Sequence, residues 1–263
     1  MKNSEENYFY SKYLEKIREN LLKCYSEELG LSNIEERIKK RVNRERGKYY
    51  ISRLAKLVDL KNKKLLDVGS GWGEYLVEAH KEGATVYGLE PDDELLEITD
   101  LLLKSEKISE DIIVKKRYAE KIPFEDDFFD VVICCHVLEH VNDIKKSIRE
   151  MIRVLKKGGY LYLCVPNYAY PFEGHYKIFW LPFMPKWLAR VYLRLRGRNP
   201  GFINHINYVS SYWLFRELRK YKVWIGNLDE KKKNHFFVKR LIISVFKKIG
   251  LYPPSIRLLI KKE

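Results

Sequence analysis

Apolar residues along the chain change their period twice. Up to about Asp59 they recur at helical spacing, with Leu14, Ile17, Leu21 and Leu22 and later Ile34, Ile38 and Val42, which predicts amphipathic helix. From Lys64 short apolar runs alternate with helical segments. "KLLDVG" predicts a buried strand, "EYLVEAH" a helix, "ATVYGLE" a second strand, and Asp92 to about Lys104 a second helix. "DIIVKKRY" is a weaker third strand. "DFFDVVICCH" is a fourth, followed by a long amphipathic helix to about Leu155, and "GGYLYLCVP" is a fifth. Strands alternating with helices imply a parallel sheet covered on both faces, because parallel strands need crossover connections. After Pro166 the alternation stops in an aromatic, proline-punctuated, basic stretch. It resumes with a helix at "SSYWLFRELRKY", with Ser210 or Ser211 as N-cap, a strand at "KVWIGN", a basic helix at "FFVKRLIISVFKKIG" and a last strand at "SIRLLIKK".

The chain has 263 residues, 46% of them hydrophobic, with 50 Lys+Arg and 36 Asp+Glu. That composition is globular and excludes a disordered or fibrous chain. The charge is unevenly placed. Met1 to Pro166 carry 30 basic and 31 acidic residues, for −1, and the rest carry 20 against 5, for +15. A neutral body bearing a basic surface is therefore expected, rather than a uniformly basic nucleic-acid binder. No run reaches the ~18–20 apolar residues that span a bilayer. The opening "MKNSEENYFY" lacks the apolar segment of a secretory signal, so a cytoplasmic protein is expected. Cys134, Cys135 and Cys164 fall in apolar strand-like runs and, with Cys24, show no paired metal spacing, so reduced thiols are expected. The absence of Gln beside abundant Lys and Glu fits either a thermophilic source or AT-rich codon usage.

The first strand ends in "DVGSGWGEY", with Gly69, Gly71 and Gly73 at alternate positions where a strand turns into a helix. Glycines there let backbone approach a ligand and adopt conformations that a Cβ forbids. The third glycine of a dinucleotide fingerprint would fall on Glu74, and the lysine of a phosphate loop is missing. The second strand ends in Glu90, 23 residues after Asp67, where an acid accepts hydrogen bonds from both hydroxyls of a ribose. Together these features describe an adenosine ligand without phosphates. The plainer alternative is a glycine-rich turn and a surface acid in an ordinary α/β domain.

With "LLDVGSGWGEY", "VYGLEPD", "AEKIPFEDDFFDVVICCHVLEHV" and "IREMIRVLKKGGYLYLCVPN" in this order between about Lys64 and Asn167, the chain resembles the class I S-adenosylmethionine-dependent methyltransferases of the type 11 group. The resemblance implies S-adenosyl-L-methionine as cofactor. It implies a Rossmann-like, doubly wound sheet of seven strands, mostly parallel with an antiparallel last strand, which suits "SIRLLIKK". The chain then divides into an N-terminal helical cap over 1–60 and a class I methyltransferase domain over 61–263. The domain carries an acceptor insertion at about 167–210 and an extra basic helix at about 234–249. On the same resemblance Asp67, Gly69, Gly71 and Gly73 surround the methionine part of the cofactor, and Glu90 binds the ribose. Ala119 and Glu120 lie along the adenine, and His136 sits under the sulfonium.

If the residues after the fourth strand continue as helix, His136, Glu139 and His140 share one face. Two imidazoles and a carboxylate suit a divalent metal. The stretch is similar to the E-x-x-E-H metal motif of quinone-biosynthesis O-methyltransferases and small-RNA 2′-O-methyltransferases. His136 replaces the first acid, and His175 is a further candidate ligand. His136 and His140 are also candidates for a catalytic general base, and local packing of "VLEHV" is the plainer reading.

Beyond Pro166 the basic residues are interleaved with bulky apolar ones, as in "FWLPFMPKWLARVYLRLRGR". That pattern suits an amphipathic helix at an anionic membrane surface, which would place the protein peripherally on the inner face of the membrane. Packing over the sheet, or contact with RNA phosphates, are the alternatives. The stretch is similar to the acceptor-side insertion of methyltransferases of cell-surface glycan and lipid-linked saccharide pathways. This implies O-methylation of a saccharide, lipid-linked glycan or other small-molecule hydroxyl, with Tyr168, His175, Tyr176, Trp180 and His205 as acceptor contacts. A tRNA or rRNA methyltransferase and a catalytically silent methyltransferase-fold partner are the competing readings.

Overall fold

The computed structural model describes residues 2–43, 45–228 and 254–263. The basic helix expected at 234–249 lies outside them. The N-terminal region folds as α1 (Lys2–Leu22), a six-residue π turn (Lys23–Glu28), α2 (Ile34–Arg41) and α3 (Glu45–Ala55). The α/β alternation follows as β1 (Lys64–Val68), α4 (Glu74–Lys81), β2 (Thr85–Leu89), α5 (Asp93–Ser105), β3 (Ile113–Lys115), β4 (Phe129–Cys135), α6 (Ile144–Val154) and β5 (Leu155–Pro166). Two-residue strands β6 (Phe172–Glu173) and β7 (Ile178–Phe179) pair as a hairpin. Helix α7 (Lys186–Leu195) and a 3-10 turn (Phe202–His205) follow, then α8 (Ser211–Leu218), β8 (Val223–Asn227) and β9 (Ser255–Lys262).

Seven strands form one sheet in the order β3-β2-β1-β4-β5-β9-β8. Strands β1 to β5 run parallel, and β9 enters antiparallel between β5 and β8. The order reverses between β1 and β4, which opens a crevice at their carboxyl ends, where open α/β sheets bind ligands.

The apolar runs of the strands are continuous because both faces are covered. Leu65, Val131, Ile133, Tyr162 and Leu259 point to one face, where they pack with Tyr13, Ile17 and Leu54 of the N-terminal helices and with Leu76 and Ile98 of α4 and α5. Leu66, Val132, Leu161, Leu163 and Leu258 point to the other and pack with Ile148 and Met151 of α6 and Leu214 and Leu218 of α8. A third apolar cluster belongs to the segment after β5. Tyr176, Trp180, Ala189, Leu193 and Ile203 pack there with Leu29 and Leu31 from the end of the N-terminal helices.

Local chemistry sets the helix starts. The Asp92, Asp143 and Ser210 side chains accept from the backbone N–H groups of Leu95, Lys146 and Trp213, capping α5, α6 and α8. The cap on Asp143 marks a departure from the expected helix. Residues 136–143 are turn and bend, and α6 begins only at Ile144. Among the described residues no helix is long and apolar enough to cross a membrane.

Candidate active site

The turn from β1 into α4 is the base of the site. Gly69, Gly71 and Gly73 all have positive φ, at 74°, 55° and 80°. A Cβ on Gly69 would meet Val137 Cγ2 at 2.4 Å, so sterics and backbone conformation both require glycine there. The turn is tied down from two sides. Glu90 Oε2 accepts from Gly71 N at 2.9 Å, and Thr99 Oγ1 donates to Gly71 O at 2.7 Å. The other Glu90 oxygen accepts from Asp92 N at 3.1 Å. Burial pushes the Glu90 pKa up while these two N–H groups pull against it. Asp67 is fully buried below, with no hydrogen-bond partner for either oxygen among the described residues. Its pKa is raised by burial and by the charge of Glu90.

The cleft over this turn is lined by Gly69 to Trp72, Glu74, Tyr75, Cys135 and His136, with Arg41 and Arg46 from the N-terminal region. Arg41 stacks over Trp72 with its Cζ 4.3 Å from the ring centre and pairs with Glu74 at 3.3 Å. Arg46 lies over Tyr50, 5.9 Å from the ring centre, and faces no carboxylate at ion-pair distance among the described residues. A cation in a cleft without an acid is fit to receive an anionic group of a ligand. The sequence reading missed Arg41, Arg46, Tyr50 and Trp72. The signal for Arg41, Arg46 and Tyr50 was the basic, aromatic run "RVNRERGKYY", and Trp72 stands inside the glycine turn itself.

Past β4, His136 has φ of 62°, and its N–H donates to Cys164 O at 2.7 Å. Its Nε2 faces the Tyr50 hydroxyl at 3.3 Å and Cys164 Sγ at 3.4 Å, while Nδ1 faces Glu139 Oε1 at 3.7 Å. Burial lowers the His136 pKa, but Cys164 and Glu139 outweigh it and the net shift is upward. Glu139 moves down because His136 and His140 outweigh its own burial. The Glu139 side chain is wholly buried, and neither oxygen has a hydrogen-bond partner among the described residues.

Glu139, His140 and His175 bring one ligand atom each within 4.8 Å of one another. His140 keeps a solvent-exposed edge, yet desolvation by surrounding protein lowers its pKa, with His175 and His136 adding to this against the pull of Glu139. Glu173, which the sequence reading also missed, is buried behind His175. Its Oε1 lies 2.7 Å from His175 Nδ1 and accepts from the Tyr168 hydroxyl at 3.2 Å, and its Oε2 accepts from Tyr176 N at 2.6 Å. The carboxylate makes Nδ1 the protonated nitrogen and leaves the Nε2 lone pair for a ligand.

Several expectations are corrected by these positions. His136, Glu139 and His140 do not share a helix face. They sit in a turn, with His136 facing Tyr50 and Cys164 while His140 faces His175. Glu120 Oε1 accepts from Asn142 N at 2.7 Å and Asp143 N at 3.1 Å and so holds the turn before α6. Ala119 is buried in the core on that face. Tyr176 and Trp180 are fully buried in the core of the segment after β5, and the Tyr176 hydroxyl donates to Asn199 O. Burial there leaves neither side chain open to an acceptor. Tyr168 is a support for Glu173, and His205 is exposed at the end of the 3-10 turn, outside the cluster.

Residues 66–163 match the family model of a methyltransferase domain. Over that stretch, less than half of its length, the chain is similar to the methyltransferases. It is 32% identical over 106 residues to an uncharacterized methyltransferase, YcgJ, of Bacillus subtilis, covering 40% of this chain and 41% of that protein. To a ubiquinone biosynthesis O-methyltransferase of Pelagibacter ubique it is 33% identical over 129 residues, covering 47% and 52%. To a ubiquinone/menaquinone biosynthesis C-methyltransferase, UbiE, of Pectobacterium carotovorum it is 33% identical over 104 residues, covering 38% and 41%. The chain thus spans about half the length of the curated relatives it matches. The crystal structure of YcgJ superposes with a TM-score of 0.56 over 82% of this chain and 99% of that one at 20% identity, which shows a shared fold. The matched stretch of the methyltransferase domain contains Asp67, the three glycines, Glu90 and the Glu139–His140 pair. Arg46 and His175 come from outside it.

Proposed function

We propose that the protein is an S-adenosylmethionine-dependent methyltransferase that methylates the oxygen of a hydroxyl-bearing small molecule beside the Glu139–His140–His175 cluster. The residues present suit the cofactor. Gly71 leaves open space where a side chain would stand, and among the described residues Asp67 holds two unpaired buried oxygens and Arg46 offers a guanidinium without an acid. In this reading Glu90 receives the ribose hydroxyls, Asp67 faces the amino group of the methionyl part and Arg46 its carboxylate. The cofactor supplies a methyl group on sulfur that leaves by in-line displacement, so the chain's main task is to position two reactants in a cleft with little water.

The observation that carries the oxygen acceptor is the Glu139 carboxylate. A wholly buried carboxylate with no hydrogen bond is costly unless something positive sits against it. His136 at 3.7 Å meets part of that need, and two further imidazoles converge on the same point. The set fits a divalent cation, which when bound would draw charge from an acceptor oxygen and ease loss of its proton. Glu139 and His140 would hold it, with His175 set by Glu173. The O-methyltransferase relative supports oxygen as acceptor; the C-methyltransferase relative is the competing case. Saccharides and lipid-linked glycans are within the proposed class, as are other hydroxylated small molecules.

The test is transfer of a labelled methyl group from the cofactor into fractionated lipid, glycan and RNA extracts, with and without a chelator. Label in a base-stable methyl ether, lost on chelation while calorimetric cofactor binding persists, is the expected result. Label in a carbon-bound methyl would overturn the oxygen-acceptor reading, label in RNA would overturn the small-molecule reading, and absence of cofactor binding would overturn the enzyme reading.

A further inference from the structure

Fifteen large hydrophobic side chains are exposed among the described residues, and seven of them fall between positions 172 and 195. Scattered exposed apolar residues need no explanation, but a contiguous group does. These seven are close in the chain, and the helix and hairpin that carry five of them are hydrogen-bonded to each other. On α7, Trp187, Val191 and Leu195 are spaced by four and so share a stripe, with exposures of 62%, 46% and 81%. The opposite stripe, Ala189 and Leu193, is the one packed into the core. Beside the helix, Phe172 and Phe179 are partners across the hairpin and both are exposed, and the Tyr192 hydroxyl donates to Phe179 O, which ties that hairpin to α7. Before the helix, Leu181 and Phe183 are exposed, and Phe183 has φ of 59°. A bulky residue held in the left-handed region is strained, and here the strained residue presents its ring to solvent.

The charge around this face has one sign. Lys186, Arg190, Arg194 and Arg196 flank the apolar stripe, and among the described residues none of the four has a carboxylate within ion-pair distance. Lys186 and Arg190 donate to the backbone and side-chain oxygens of Asn204, and Arg194 and Arg196 are exposed. The nearby acid, Glu173, is turned inward onto His175. An apolar stripe with aromatic residues and unpaired arginines matches an interfacial helix, whose apolar side enters the acyl boundary while its cations meet anionic headgroups.

We propose that the hairpin β6–β7 and the outer face of α7 dock on the surface of an anionic lipid bilayer. This inference does not depend on the methyltransferase reading. It bears on that reading, though, because the hairpin faces two ways. Phe172 and Phe179 point outward, while Glu173 points inward and its hairpin turn carries His175 into the ligand cluster.

The experiment is flotation of the full chain with vesicles of neutral phosphatidylcholine, and of the same lipid with about one third phosphatidylglycerol, at low and high salt. Trp187 serves as the reporter of insertion through quenching by brominated acyl chains. Binding to the anionic vesicles alone, weakened by salt and with quenching, is expected. The double variant Trp187→Ser, Leu195→Ser should partition about tenfold more weakly or worse. Arg194→Gln with Arg196→Gln should lose about fivefold per arginine at low salt. All four positions are exposed, so unchanged melting and unchanged cofactor binding verify that the variants fold. No flotation with anionic vesicles at low salt overturns the proposal. So does equal flotation of the Ser variant, and so does a dimer that this variant abolishes, since the face would then be covered by a second copy.

Discussion

At the scale of single residues, the site keeps groups that folding alone would discard. Asp67 has no hydrogen-bond partner among the described residues, and burial and Glu90 raise its pKa. A carboxyl whose pKa is raised on folding binds a proton that the unfolded chain releases. Its contribution is full below the unfolded value near ~3.9 and is lost as pH rises through the folded value. Asp67→Asn removes that loss. The variant should melt higher than the native protein at pH 8, with the difference shrinking towards pH 4, and should bind the cofactor more weakly in calorimetry. Gly69→Ala should act oppositely on stability, because its Cβ meets Val137 and its φ is positive. We expect a loss of about 1–3 kcal/mol in denaturant unfolding. Adding Val137→Ala should recover only part of it, since space is restored and the backbone strain is not. Glu173→Gln keeps the shape behind His175 but removes the charge that fixes its tautomer. It should weaken divalent cation binding about 10–100-fold and leave cofactor binding unchanged.

At the scale of elements, the turn between β4 and α6 decides what the cluster is. Glu120 holds its end, Asn207 Nδ2 donates to Val141 O at 2.6 Å, and Asn207 N donates to Glu139 O at 2.7 Å. Asp143→Ala removes the N-cap of α6 and should lower stability by about 1 kcal/mol. If the turn positions the ligands, it should also weaken cation binding by more than that loss of stability accounts for. This turn is also where the sequence was least legible. The strands and the Ser210 cap are governed by residues a few positions apart, so periodicity and capping chemistry predict them. The turn at 136–143 depends on Glu120 and Asn207, 22 and 66 positions from their bonding partners, so its local pattern read as helix. Arg46 and Glu173 were hidden for the same reason. Nothing near them in the chain shows that one lines the cleft over the glycine turn and the other stands behind a histidine.

At the scale of the whole molecule, the N-terminal helices are part of the core. Tyr13 and Ile17 of α1 are fully buried, and α1 packs along α5. Ile17→Ala should therefore cost about 2–5 kcal/mol in denaturant unfolding, far more than a surface appendage would allow. The charge asymmetry acquires a location too. The cleft, with Asp67, Glu74 and Glu90, belongs to the neutral body, and the cations of α7, which have no carboxylate partner among the described residues, belong to the basic part.

The place of β9 has a consequence for how the protein is made. Strand β8 leaves the ribosome before β9, yet β9 lies between it and β5. Until Ser255–Lys262 have been translated, β5 keeps an unpaired edge and β8 has no strand to join, so the sheet cannot zip up in the order of synthesis. During that interval the open edge of β5 is a template for any neighbouring strand. Nascent chains should thus be most prone to aggregation, and most dependent on chaperones, between the synthesis of β8 and that of β9.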